Sequence, residues 1–216
     1  MKLNTVSRLL VAVMPLGLMA CSDDATVDAA IHDTKYVAID ASGNELAAPN
    51  GQAPCVLDRY TGLMWATKSD DGGLHDLRHT YSWYAPNEAN EPNGVDYRGL
   101  ANGGVCQGSD CDTWAYVNKV NEAGHCGFND WRVPLRDELA SISDPRKTES
   151  PPTTNTAFFT RAQPIDYWSS NDYHFQFDAA WVWDFKYGHD RVEWKKTPRP
   201  VRLVRGEALQ LARVKD

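Results

Sequence analysis

The chain has 216 residues, 42% of them hydrophobic and 24% charged, with 22 basic residues against 29 acidic ones and a formal net charge of −7. This length suits one sizeable domain plus a tether. The acidic balance, without a basic stripe, argues against nucleic acid and against a general affinity for sulfated polyanions.

Residues 1–20 run from a basic start (Lys2, Arg8) through the apolar stretch Leu9 to Met19 to the small Ala20, the layout of a secretory signal. The apolar run is too short for a spanning helix. Leu18-Met19-Ala20 before Cys21 matches the lipobox of bacterial lipoproteins, in which the cysteine is lipidated and becomes the new N-terminus. Ser22 at the next position, in place of Asp, resembles the sorting signal for the outer membrane. The expected location is therefore the cell outer membrane, with the lipid on Cys21 as the membrane contact. Without Lys2 and Arg8 the mature chain has 20 basic and 29 acidic residues, a charge of −9. Residues 21–50, small and acidic near their start (Asp23, Asp24, Asp28), read as the lipidated cysteine and a flexible tether. Residues 51–206 read as the domain and 207–216 as a tail.

Tyr36 to Asp40 alternates as a strand does. Cys55 to Asp58, a turn at Tyr60-Thr61-Gly62 and Leu63 to Trp65 read as strand, turn and strand. Residues 68–110 are rich in Gly, Asn and Asp with interspersed aromatics, a length that implies function or stapling. Asp112-Thr113 caps a helix from about Trp114 to Ala123, with Ala115, Val117, Val120 and Ala123 in partial helical spacing and Gly124 as its stop. Asp130 to Pro134 is a short extended piece, Arg136 to Ile142 a second short helix, and Ser143 to Pro164, with four prolines, a loop. Strands are expected at Tyr167–Ser170, Ala180–Tyr187 and Val201–Arg205. A turn at Gly188-His189-Asp190 would lead into Arg191–Trp194. The fold class is α+β, mostly antiparallel short strands with two helices and long loops. Eight tryptophans, each burying roughly 150–250 Å², allow a compact core in a loop-rich chain.

After Cys21 the cysteines are Cys55, Cys106, Cys111 and Cys126. Export favours disulfides, and four thiols allow three pairings. Cys106–Cys111 around the tight loop Gln107-Gly108-Ser109-Asp110 is preferred, which leaves Cys55–Cys126 as a long-range staple. Lys195, Lys196, Arg199, Arg202 and Arg205 cluster late in the chain and read as a solvated face.

The motif order carries a resemblance. Asp58-x-x-Thr61-Gly62-Leu63-Met64-Trp65 is followed by Cys111-Asp112-Thr113 with Tyr116-Val117 and Val120-Asn121. Next comes Cys126-Gly127-x-x-Asp130-Trp131-Arg132-Val133-Pro134-x-Arg136-x-Glu138-Leu139. Tyr167-Trp168-Ser169-Ser170, Ala180-Trp181-x-x-Asp184-Phe185-x-x-Gly188 and Val201-Arg202-Leu203-Val204-Arg205 complete the series. Over residues 52–206 this resembles the bacterial Lcl C-terminal domain family, found at the end of a Legionella collagen-like adhesin. The resemblance implies a disulfide-stapled C-type-lectin-like domain, related to the formylglycine-generating sulfatase-modifying enzymes, that acts in cell-surface binding or adhesion. The adhesin domain trimerises and binds sulfated glycosaminoglycans through a basic surface. This chain is acidic and has no collagen-like repeat. The related enzymes bind copper through a late cysteine pair, and no cysteine here follows Cys126.

Among candidate sites, Arg132 reads as the partner of Asp130, Glu138 or Asp184, with Trp131 in the core. Glu91-Pro92-Asn93 with Asn129 and Asp130 is similar to the oxygen ligands of calcium-dependent sugar-binding lectins, and makes Glu91, Asn93, Asn129 and Asp130 weak calcium candidates. The loop carboxylates Asp70, Asp71 and Asp76, or Asp166, Asp172 and Asp178, lack the spacing of a calcium loop and read as solvated. Tyr81 and Trp83 alternate, so they can share one face as a stacking platform for a sugar. Histidines 75, 79, 125, 174 and 189 are dispersed, and nothing resembles a nucleophile elbow. The expectation is a non-catalytic module without a resident cofactor. It would bind a surface glycan or an envelope protein through loops 68–104 and 144–164. The alternative is a structural envelope component whose partner is a pilus or secretion assembly.

Overall fold

The computed structural model describes residues 35–47, 52–88 and 94–207. Two antiparallel sheets and two helices make up the domain. The first sheet has the order β1-β2-β3-β7, with β1 at Tyr36–Ile39, β2 at Cys55–Asp58, β3 at Met64–Ala66 and β7 at Val204–Arg205. The second has the order β4-β5-β6, with β4 at Asp166–Asp172, β5 at Ala179–Asp184 and β6 at His189–Trp194. Between the sheets in sequence lie α1 at Thr113–Ala123 and α2 at Arg136–Ser141, with a 3₁₀ turn at Pro145–Lys147.

The first sheet is buried on both faces, which explains why its strands are apolar at almost every position. Successive side chains in a strand alternate sides. Val37, Ile39, Cys55, Leu57, Met64 and Ala66 join one core, with Tyr81, Trp83, Tyr116, Val120, Trp131 and Trp168. Tyr36, Ala38, Val56, Trp65 and Val204 join the other, with Leu139, Ile142, Phe158, Phe159 and Tyr167. Ala180 and Val182 of β5 bring the second sheet onto the first core.

One turn chemistry is used twice. The Asp58 carboxylate accepts from Tyr60 N at 2.9 Å, and its carbonyl accepts from Gly62 N at 2.8 Å. Gly62, at φ +73°, closes the hairpin of β2 and β3. The Asp184 carboxylate likewise accepts from Lys186 N at 2.6 Å, and its carbonyl accepts from Gly188 N at 2.8 Å. Because Asp184 opens this turn, β5 ends there and β6 already begins at His189. The expected strand to Tyr187 and turn at Gly188-His189-Asp190 are therefore displaced.

The other elements follow the sequence reading closely. Asp112 caps α1 by accepting from Ala115 N at 2.8 Å, and Gly124 ends it at φ +70°. Tyr116 and Val120 face the core. Glu138 reaches back to Leu135 N at 2.8 Å to open α2. Both preferred disulfides are formed, Cys55–Cys126 across 71 residues and Cys106–Cys111 across 5. The last strand differs from expectation. Only Val204 and Arg205 pair with β3, while Val201, Arg202 and Leu203 pass through the interior.

Candidate functional site

A cleft of about 340 Å³ opens between the 83–88 segment, the first turns of α1, Val133 and Ser170. Its floor is apolar, from Trp83, Ala85, Val117 and Val133, and Thr113, Glu88, Arg132 and Ser170 supply polar groups. Trp114, 41% exposed, and Tyr84 contribute rings. The walls are firmly held. Thr113 Oγ1 donates to Tyr84 O and accepts from Tyr84 N, both at 2.9 Å. Trp83 Nε1 donates to Ser169 O at 2.9 Å. An apolar pocket with a few placed polar groups is the usual form of a small-ligand site.

The structure relocates the aromatic expectation. Tyr81 is 0% exposed and Trp83 3%. Tyr81 is therefore closed off from the surface, and Trp83 meets it only as part of the floor of this cleft. The aromatic rings at this surface are Tyr84, the neighbour of Trp83, and Trp114, from the start of a helix 30 residues on. Loop 68–104 does supply cleft residues, and Arg161 of the 144–164 loop lines a second cleft described below.

Arg132 takes Glu138 from among its three expected partners. Its Nη1 and Nη2 donate to the two Glu138 oxygens, each at 2.7 Å. Glu138 is fully buried, so this two-pronged pair secures α2 to the sheet. Asp130 is occupied by Arg205, whose Nε donates at 2.6 Å and whose guanidinium stacks on Phe128 at 3.6 Å. That partner holds the Asp130 carboxyl below its usual range. Asn129 is exposed, while Glu91, Asn93 and Cys21 lie outside the described residues.

Of the loop carboxylates, Asp76 is buried and bound to Arg78 Nε and Nη2, and Asp172 is buried against Lys195 at 2.6 Å. Asp166 is buried near Arg191 and Arg199. These three are structural rather than solvated. Asp70 and Asp71 are exposed, and Asp178 is half-buried. Among the described residues the close grouping of metal-ligand atoms is Cys55, His125 and Cys126, whose two sulfurs are bonded to each other.

Two members of the late basic cluster are buried, while Lys196 is solvated as expected. Lys195 is 1% exposed and Arg202 2%. Lys195 Nζ donates to Tyr97 O at 2.5 Å and Phe177 O at 2.8 Å and lies 4.4 Å from the Trp83 ring centre. This cation ties the 94–100 segment to the second sheet. The sequence also hid a histidine pair. His75 and His125, 50 residues apart, stack with ring centres 4.0 Å apart. His75 Nδ1 meets the Tyr116 hydroxyl at 2.9 Å. Burial, then the fields of His125 and Lys68, push the His75 pKa down to about 2, and burial lowers that of His125. No sequence motif announces this pair; Cys126, in the staple to Cys55, fixes the neighbouring His125.

A second surface is exposed on the other side of β5 and β6. Trp181 pairs with Val192 and Ala179 with Trp194, so these side chains share one face of the sheet. Tyr173 packs edge-on against Trp181 at 5.3 Å, and Phe175, 90% exposed, leans on Tyr173.

With this geometry established, comparison decides the family. The Lcl C-terminal domain model matches residues 54–205. The chain belongs to the Lcl C-terminal domain family. No curated protein matches it. Family membership and two structural disulfides together point to an extracytoplasmic, surface-associated module.

Proposed function

We propose that this Lcl C-terminal domain is a non-catalytic binding module, carried on the outer membrane by a lipid on Cys21, and that its ligand is a surface glycan seated in the Trp114 cleft. The observation that carries the reading is the half-exposed Trp114 indole above an apolar floor ringed by Glu88, Thr113 and Ser170. The C–H face of a sugar stacks on such a ring while its hydroxyls bond to the polar rim. The test is a glycan array probed with the chain from Ser22 onward, in calcium and again in chelator, beside Trp114→Ala. Binding that is lost in Trp114→Ala and survives chelation is the expected result. Binding lost on chelation would move the site toward Glu91, Asn93 and Asn129. Equal binding by Trp114→Ala would refute the cleft assignment.

A protein partner is the second reading, favoured by the exposed Val192, Trp194 and Phe175 around the half-buried Trp181. Exposed apolar patches of this kind mark interfaces. An empty array together with cross-linking at this face in the native envelope would establish it.

A further inference from the structure

A second cleft, of about 410 Å³, shares no lining residue with the first. Lys68, His75, His125 and Arg161 line it, with Asp70 and Asp71 among its acidic groups. Lys68 is 3% exposed; its ammonium donates to Val201 O at 3.2 Å and lies 5.6 Å from the centre of the Tyr116 ring. Arg202 lies near enough to repel it. Arg202 in turn donates to Ala66 O at 3.0 Å and stacks near Phe159 and Tyr167. Carbonyls and rings therefore surround both cations. Asp76 attracts Lys68 from a distance but is itself bound to Arg78. Buried cations without a carboxylate against them leave a positive potential that the fold does not balance.

The other groups facing this centre do not offset it. His75 faces Lys68, His79, His125 and Tyr116, all neutral or cationic. Asp71 accepts from Ser69 Oγ at 2.7 Å and Gly73 N at 2.8 Å, and Asp70 pairs with Arg78 at 3.2 Å. Both carboxylates are exposed, with acceptor capacity left for a ligand's own donors.

We propose that this cleft binds a small organic carboxylate, with Lys68 taking its negative charge, His75 and His125 as neutral walls, and Asp70 and Asp71 accepting from a hydroxyl or ammonium group on the same ligand. The charge pattern favours one carboxylate over a phosphate dianion, which the two aspartates would repel. Burial and Arg202 bring the Lys68 pKa down to about 7. The ammonium that attracts the ligand is therefore lost just above neutrality, and affinity falls with rising pH.

The test is calorimetric titration of the full mature chain with L-lactate and with L-alanine, using L-lactamide and inorganic phosphate as controls. The NMR signals of the His75 ring are followed in parallel. Saturable binding of either acid at pH 6.5, with a shifted His75 signal, is expected. It should weaken about 25-fold by pH 8.5 as Lys68 loses its proton. Lactate alone would identify a hydroxy acid, and alanine alone an amino acid; either supports the site. Lys68→Met keeps the length of the buried chain and should abolish binding, while Trp114→Ala should not change it. Lactamide binding as tightly as lactate, binding of phosphate alone or no saturation by either acid would each overturn the proposal. The comparison of lactate with lactamide needs no variant, so it decides the matter even if Lys68→Met does not fold.

Discussion

The stacked histidines make acid stability a direct test of the packing. In the unfolded chain His75 takes up its proton near pH 6.5, whereas in the folded domain burial holds its pKa at about 2. The folded state binds fewer protons, so the stabilisation is complete above the unfolded pKa and is lost as pH falls below it. Between pH 6.5 and 5 this single group removes about 1.6 kcal/mol. His125, whose pKa burial also lowers, adds to the loss in the same window, so comparison with a His75 variant isolates the share of His75. Carboxylates with lowered pKa, such as Asp96 and Asp130, matter only nearer the unfolded carboxylate pKa of about 4. Lys68, with a pKa of about 7, is mostly protonated over this range in both states. Urea unfolding followed by tryptophan fluorescence, at half-unit steps from pH 6.5 to 5, measures the slope. His75→Gln should lie about 1.6 kcal/mol flatter than the parent over that range, whatever its absolute stability. Parallel lines for parent and variant would refute the half-buried, neutral assignment of His75.

Three further perturbations probe the scaffold. Replacing Cys55 and Cys126 by serine opens a loop of 71 residues and should cost about 4 kcal/mol, against about 2 kcal/mol for Cys106 and Cys111 across 5 residues; the reverse order in urea midpoints would contradict the loop argument. Glu138→Ala strips Arg132 of both carboxylate bonds and Leu135 N of its acceptor, for a loss of about 3 kcal/mol, and a loss under 1 kcal/mol would show the pair to be dispensable. A Cβ on Gly104 would stand 2.2 Å from Thr80 O and 2.7 Å from Cys111 O, so Gly104→Ala should lower stability by at least about 2 kcal/mol. Thermal unfolding unchanged in that variant would mean the backbone there is free to shift.

Much of the framework was legible because it is local. The turn from Asp58 to Gly62, the cap at Asp112 and the stop at Gly124 are each written in a few adjacent residues, and the close Cys106–Cys111 pair implies the distant Cys55–Cys126 pair. What escaped depends on contacts between distant segments. A period of two identifies a strand but not which face is dry, so Tyr81 and Trp83 read as a surface platform while the fold folds them under Lys195 and Ser169. Lys195 and Arg202 read as solvated because charged residues usually are; the Asp172 carboxylate and the carbonyls of Tyr97 and Phe177 for Lys195, and the Ala66 carbonyl with the Phe159 and Tyr167 rings for Arg202, brought from far along the chain, make their burial tolerable. The family resemblance was legible in motif order, yet many of the acids and bases in those motifs prove to hold turns and helices in place: Asp58, Asp112, Arg132, Glu138 and Asp184.

Helix α1 is where scaffold and surface meet. At about 100° per residue, Trp114 and Tyr116 point to opposite sides of the helix. Trp114, with Thr113 and Val117, lines the first cleft, while Tyr116 reaches His75 beside the second. The helix is thus a wall of the first cleft and, through Tyr116, a support for His75 in the second. That placement is set at one end. Cys111 N donates to Asn102 Oδ1 at 2.8 Å, Asn102 N donates to Asp112 Oδ2 at 2.9 Å, and the other Asp112 oxygen caps the helix. The Cys106–Cys111 bond closes this network on its outer side. A loop of five residues adds less to global stability than the long staple, and its position matters as well: it holds the first turn of α1, and with it the Trp114 ring, against a segment that has no regular structure of its own.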